Sequence, residues 1–366
     1  MKYVENWEQT KRNFQSWWAR EDFGRPLMRV VARREQPLEP LESISEPQNL
    51  QDQYLSAQRL VAQQRNHCRA HRFLADAFPS VSLNLGPGSM ATYLGAEPVF
   101  APDTVWYREC AEDIGELVDL DFDPSNPWWN IHRDVIARAV ELARGDFPVA
   151  IPDIIENIDI VAAMRGPQAL CYDLMDHPDL VQRAIDRVDE LYFQYYDTFY
   201  DLTRDEQAGS VYTAFHIWGP GRTAKVQCDF SAMMSPRQFQ QFIVPSLTRQ
   251  VQRLRNSLYH LDGPDAIRHL DALMGIQRLD ALQWTAGAGQ PDGASEKWYP
   301  IYDKVRRAGK GLWVSIYDGD LEHWLRGADR LIDRLGSTGL YLIFPDMTME
   351  QARRLLDHAD RHWNRL

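Results

Sequence analysis

The sequence predicts an α/β fold, a (β/α)8 TIM barrel with an N-terminal helical extension, read as one domain over residues 1–366. Three observations carry that expectation. Eight short apolar or β-branched runs are spread along the chain, helical stretches with readable ends separate the later ones, and 366 residues exceed one small domain. Barrels of this kind run to roughly 250 residues and more, so one barrel with an addition fits the length. Alternating strand and helix argues for a parallel sheet, and eight such units argue for closure over an open doubly wound sheet.

In chain order, residues 5–21 and about 47–76 read as helices; with a first strand, MRVVAR from Met28, they make an N-terminal layer over 1–80. The further runs are VSLNL (81–85), PVAIPD (148–153), VYTAFHIW (211–218), SLYHLD (257–262), ALQW (281–284), LWVSIY (312–317) and LYLIF (340–344). In SPRQFQQFIVPSLTRQVQRLRN, Ser235 caps, Pro236 suits the first helical position and Gln238 completes a capping box; Thr348 and Gln351 repeat the device. The segment 86–130 is irregular. Its glycines Gly86, Gly88 and Gly95 match neither GxGxxG nor a P-loop, so it reads as a loop over the barrel mouth. The aromatic run YFQYYDTFY (192–200) has helical spacing and reads as core or as a contact in a homo-oligomer.

Composition removes several function classes. The net charge of −12 without a basic run disfavours nucleic acid. No stretch approaches the ~20 apolar residues that span a bilayer, and the polar start MKYVENWEQTKRNFQSWW lacks the pattern of a secretory signal, so a cytoplasmic location is expected. Cys68, Cys110, Cys171 and Cys228 are scattered, without CxxC spacing, which argues against a disulfide framework or cysteine-rich zinc site. The 12 tryptophans and 15 tyrosines suit a broad ligand pocket as well as a core.

Active sites of such barrels form at the C-terminal strand ends. Those ends are polar here: Asp153, His216 with Trp218, His260 with Asp262, Trp284, Asp318 and Asp346. Strand alternation puts His260 and Asp262 on one face, and the same rule applied to 211–218 pairs His216 with Trp218. A His-x-Asp pair serves as two metal ligands, as a general base with an orienting carboxylate, or as a structural hydrogen bond. His216 would complete a set of three protein ligands suited to zinc or iron. Arg165 has the planar fork to clamp a carboxylate or to form an ordinary ion pair, and Asp159 and Asp173 read as helix caps.

The stretch NSLYHLDGPDAIRHLDALMGIQRLDALQWTAGAG, preceded by DFSAMMSPRQFQQFIVPSL, resembles the uroporphyrinogen decarboxylase superfamily from about residue 145 onward. The resemblance implies a (β/α)8 barrel with N-terminal helices. True decarboxylases carry an arginine segment after the first strand and an aspartate in the second; here those positions read ARREQPLEP and PSVSLNLG. In the corrinoid-dependent methyltransferase branch zinc is bound by His-x-Cys and a later cysteine. His260 matches, Asp262 replaces the cysteine, no cysteine follows position 228, and Asp346 is the nearest candidate for the last ligand. Carboxylates make such a site harder, favouring weaker zinc binding or another divalent ion.

The resemblance implies metal-assisted methyl transfer between a corrinoid, free or carried by a corrinoid protein, and a small nucleophile. The alternatives are a cofactor-free lyase on a tetrapyrrole or other carboxylated substrate, and a non-catalytic corrinoid or tetrapyrrole binder. Asp153, Arg165, Trp218, Trp284 and Asp346 are the expected substrate contacts; His260, Asp262 and His216 are the expected catalytic residues.

Overall fold

The first strand, β1 (Leu27–Arg33), is a β-branched run whose Val30, Val31 and Ala32 are wholly buried. In this computed structural model, which describes residues 1–364, β1 anchors a mixed α/β architecture with a mostly parallel central sheet. The remaining strands are β2 (His71–Ala75), β3 (Glu97–Phe100), β4 (Val105–Arg108), β5 (Gly209–Tyr212), β6 (Ile217–Pro220), β7 (Thr223–Gln227), β8 (Asn256–Asp262), β9 (Ala281–Thr285), β10 (Gly311–Ser315), β11 (Leu340–Ile343) and β12 (Met347–Thr348). A continuous parallel ladder runs β7–β8–β9–β10–β11–β1, with helices between most of its strands. Beyond it, Val81 bridges Val149 and Ile151 bridges Tyr212, both in parallel sense. One apolar core runs from Tyr3 to Trp363. Among the described residues no helix is long and apolar enough to cross a membrane.

Register decides what each face carries, because paired residues of neighbouring strands point the same way. Gln227, His260, Gln283, Trp313, Tyr341 and Leu27 pair in sequence across β7 to β1 and form one inner row. One step toward the C-terminal edge lie Asp262 beside Thr285, and Ser315 beside Ile343 and Arg29. The opposite face, with Leu261 and Trp284 in register, packs on helices; Trp284 lies against Trp298 at 4.9 Å.

Several expectations need correction. The stretch 47–76 is two helices, Leu50–Leu55 and Ala57–Ala70, followed by β2. Ser56 breaks it by turning extended and capping the second helix through Arg59 N, and His71–Ala75 pairs antiparallel with β1, a tertiary choice that helical periodicity does not reveal. The runs 81–85 and 148–153 contribute only the isolated bridges; Pro148 and Pro152 supply no N–H to a ladder. The run 211–218 is not one strand. It folds back as the hairpin β5–β6, with Phe215 and His216 in the left-handed region at φ 65° and 49°. The strand after it, β7, was not among the expected eight.

Other elements agree with expectation. Both capping boxes are present, at Ser235 with Gln238 and Thr348 with Gln351. The aromatic run lies in the helix Pro178–Thr203, with Tyr192, Phe193, Tyr195, Tyr196, Phe199 and Tyr200 buried.

Candidate functional site

At the C-terminal ends of β7 and β8, Asp229, His260 and Asp262 converge, with one donor atom from each lying within 4.8 Å of the other two. Local geometry explains the convergence. His260 and Asp262 share the inner face of β8 by alternation, and Asp229 follows β7 by two residues. The His260 ring is fixed from beneath: its Nδ1 lies 2.5 Å from Gln283 Oε1 on β9. An amide oxygen only accepts, so Nδ1 is the donor, and Nε2 is the ring nitrogen left for a metal ion. Burial raises the Asp229 carboxyl above the ordinary aspartate range, and the neighbouring Asp262 and Asp153 push in the same direction, against His260 and Lys225. Two carboxyl groups and an imidazole converging on one point are a donor set that suits a divalent cation.

Behind this group lies a buried polar network. Lys225, 2% exposed, reaches Asp153 Oδ2 at 2.6 Å and also donates to Gln227 Oε1. Gln227 donates to Asp229 Oδ2 at 2.7 Å and to Asp159 Oδ2 at 3.3 Å. Asp159 accepts the backbone N–H of Asp229 and of Phe230, both at 2.8 Å, so it holds the turn after β7 in place. Burial, then the Asp229 charge, raises Asp159 to about 7; burial alone is the leading cause that lifts Glu156 to about 8. Glu156 Oε1 accepts from Gln227 N at 2.8 Å while its Oε2 meets no hydrogen-bond donor among the described residues. The flanking Ile155 and Asn157 have φ of 32° and 48°, and backbone strain of this kind collects at functional sites.

The β5–β6 hairpin turn supplies the lid of the inner row. Phe215 lies over His260 at 5.0 Å and Trp313 at 5.3 Å. Trp313 Nε1 donates to Phe215 O at 2.9 Å and the Tyr341 hydroxyl donates to His216 O at 3.0 Å. Desolvation, then the charges of Arg29 and His67, lowers the His216 imidazole to about 3.

The expected site residues therefore separate. His260 and Asp262 come together with Asp229, while His216 sits on the hairpin turn and outside that triad. Trp218 faces the N-terminal helix Trp7–Ala19, packing on Trp7 at 6.1 Å and bonding Asp205 through Nε1 at 3.3 Å. Trp284 faces the outer helices, since its register partner is Leu261. Arg165 pairs with Asp173 at 2.8 Å, the ordinary ion pair rather than a free clamp. Asp153 borders the network through Lys225. Asp318 and Asp292 each donate a backbone N–H to the other's Oδ2 at 2.9 Å, so Asp318 ties two loops together. Asp346 joins a different group, with His67 and His71. Sequence reasoning missed Asp229, Gln283, Lys225 and that histidine pair. The usable signals were the unrecognised strand TAKVQ ahead of Asp229 and the four-residue spacing in HCRAH.

No family model and no curated protein matches the chain. Thirteen chains among solved structures do. One is a methyltransferase from Methanosarcina mazei, with a TM-score of 0.63 and 12% identity over 96% of this chain and 98% of that one. At that identity the likeness shows a shared fold.

Proposed function

We propose that this chain is a metal-assisted methyltransferase that moves a methyl group from a corrinoid donor to a small nucleophile, with Asp229, His260 and Asp262 holding the ion. The convergence of those three donors at the strands' C-terminal ends, with Gln283 fixing the His260 tautomer, carries the reading. The likeness to a methyltransferase over nearly the whole of both chains supports it. The donor set fits zinc or a harder divalent ion. When bound, such an ion lowers the pKa of the nucleophile it meets. Asp229 and Asp262 supply the charge, Gln283 orients the imidazole, and Phe215 shields one side of it from water. The carboxy-lyase reading is weaker because Arg165, its intended carboxylate clamp, is tied to Asp173.

The same reading takes the array as one closed (β/α)8 barrel domain, joined through the Val81–Val149 and Ile151–Tyr212 bridges, with the hairpin folded against its inner face. It places the chain in the cytoplasm, with the corrinoid delivered free or on a separate protein that docks where the strands end.

The test uses zinc-loaded protein with methylcobalamin and a small alkyl thiol, following the donor's visible spectrum. Thiol-dependent demethylation that Asp262→Asn and His260→Ala abolish, with metal content lowered and the fold retained, is the expected result. Absence of turnover in the loaded wild-type protein, or unchanged metal content in both variants, overturns the assignment.

A further inference from the structure

The second donor cluster stands on a different set of elements. His67 lies in the last turn of the helix Ala57–Ala70, His71 opens β2 opposite Arg33 of β1, and Asp346 follows β11 by three residues. One donor atom from each lies within 4.8 Å of the other two. The imidazoles are arranged in parallel, 4.1 Å apart at 24°. His71 Nδ1 is 2.9 Å from His67 O; a carbonyl only accepts, so Nδ1 is the donor, and Nε2 is the nitrogen left for a metal ion. That is the outer contact that orients histidines in metal sites. Phe73 packs edge-on against His67 at 5.9 Å and fixes the second ring.

Among the described residues Arg29 is the cation paired with Asp346, and both of its hydrogen bonds, at 3.3 Å, fall on Oδ1.

We propose that His67, His71 and Asp346 form a second divalent transition-metal site, of zinc class, separate from the Asp229–His260–Asp262 group. Two imidazoles and one carboxylate are a donor set for zinc and its neighbours that leaves positions open to water or ligand. Metal–donor bonds of about 2.0–2.1 Å bring donors to about 3.3 Å from each other, so binding draws the three side chains inward. Because the ligands come from a helix end, β2 and the segment after β11, the ion would tie the N-terminal layer to the last strand.

The experiment titrates metal-stripped full-length protein with cobalt(II), reading visible absorption and bound metal per chain, for wild type, Asp262→Asn, His71→Ala, Asp346→Asn and the double variant Asp262→Asn with His71→Ala. The expected result is one equivalent retained by Asp262→Asn and lost in the double variant, with Asp346→Asn weakening the same equivalent about tenfold or more. Asp346→Asn guards against a folding artefact, since its side chain is exposed and the amide can still meet Arg29. A single equivalent that Asp262→Asn leaves alone and His71→Ala removes supports this site and sinks the methyltransferase assignment. No cobalt bound by wild type, or binding in His71→Ala and Asp346→Asn equal to wild type, overturns this site.

Discussion

The orientation of His260, which the proposed metal site depends on, is set by a neighbour outside the donor group. Gln283 is 2% exposed and its amide is committed on both sides, the oxygen to His260 Nδ1 and the nitrogen to Thr285 Oγ1 at 2.8 Å. Replacing it by leucine keeps approximate volume but frees the ring to rotate and leaves Nδ1–H without an acceptor. Gln283→Leu should therefore weaken metal binding at Asp229–His260–Asp262 by about 10- to 100-fold, measured by competition with a chromophoric chelator. Affinity equal to wild type would mean that the tautomer is held some other way.

At the scale of elements, the β5–β6 hairpin decides what the inner face can do. It descends from the turn at Phe215 and His216 to Gly219 and Pro220, where Trp18 of the N-terminal helix donates to Trp218 O at 2.8 Å and Asn256 donates to Pro220 O at 2.9 Å. A Cβ on Gly219 would meet Thr223 Oγ1 at 2.3 Å, Asn256 Nδ2 at 2.6 Å and Trp18 Nε1 at 3.0 Å. All three belong to hydrogen-bonded or buried side chains, so they yield only by giving up contacts. Gly219→Ala is expected to destabilise the protein by about 1–3 kcal/mol, the usual cost of overpacking, read as a lower urea midpoint at unchanged slope. A midpoint within error of wild type would show that the start of β7 adapts freely.

For the whole molecule, the buried acids set a pH dependence. Glu156, raised to about 8 from 4.5, and Asp159, raised to about 7 from 3.8, bind protons more tightly folded than unfolded. Their contribution to stability is complete below the unfolded values and is lost as pH rises through the folded ones. His132 and His216, lowered to about 4 and about 3 from 6.5, favour the folded state increasingly as pH rises, an effect that fades over the unit above 6.5. From about pH 7 to 8 the acids dominate. The melting temperature of metal-free protein should fall across that window, with Glu156 contributing up to about 1.4 kcal/mol per pH unit. Glu156→Gln should flatten the fall; a melting temperature that rises from about pH 7 to 8 would contradict the ordering.

What the sequence determined by itself was local. Alternation in SLYHLD put His260 and Asp262 on one face of β8, cap residues set where the helices after Ser235 and Thr348 begin, and the spacing of YFQYYDTFY marked a buried helix face. These features depend on neighbours a few residues away, which periodicity and capping chemistry report directly. Tertiary structure decided the rest. Trp284 and His216 looked like site residues because the first ends ALQW and the second lies near the end of VYTAFHIW, yet register turned the first toward Trp298 and a left-handed turn carried the second out of its strand. Asp229 joined His260 only through the pairing of β7 with β8, and Asp346 found His67 and His71 from nearly 300 residues away through β1 and β2. Which strands pair, and in what register, depends on burying a shared core, and no window of sequence contains that information.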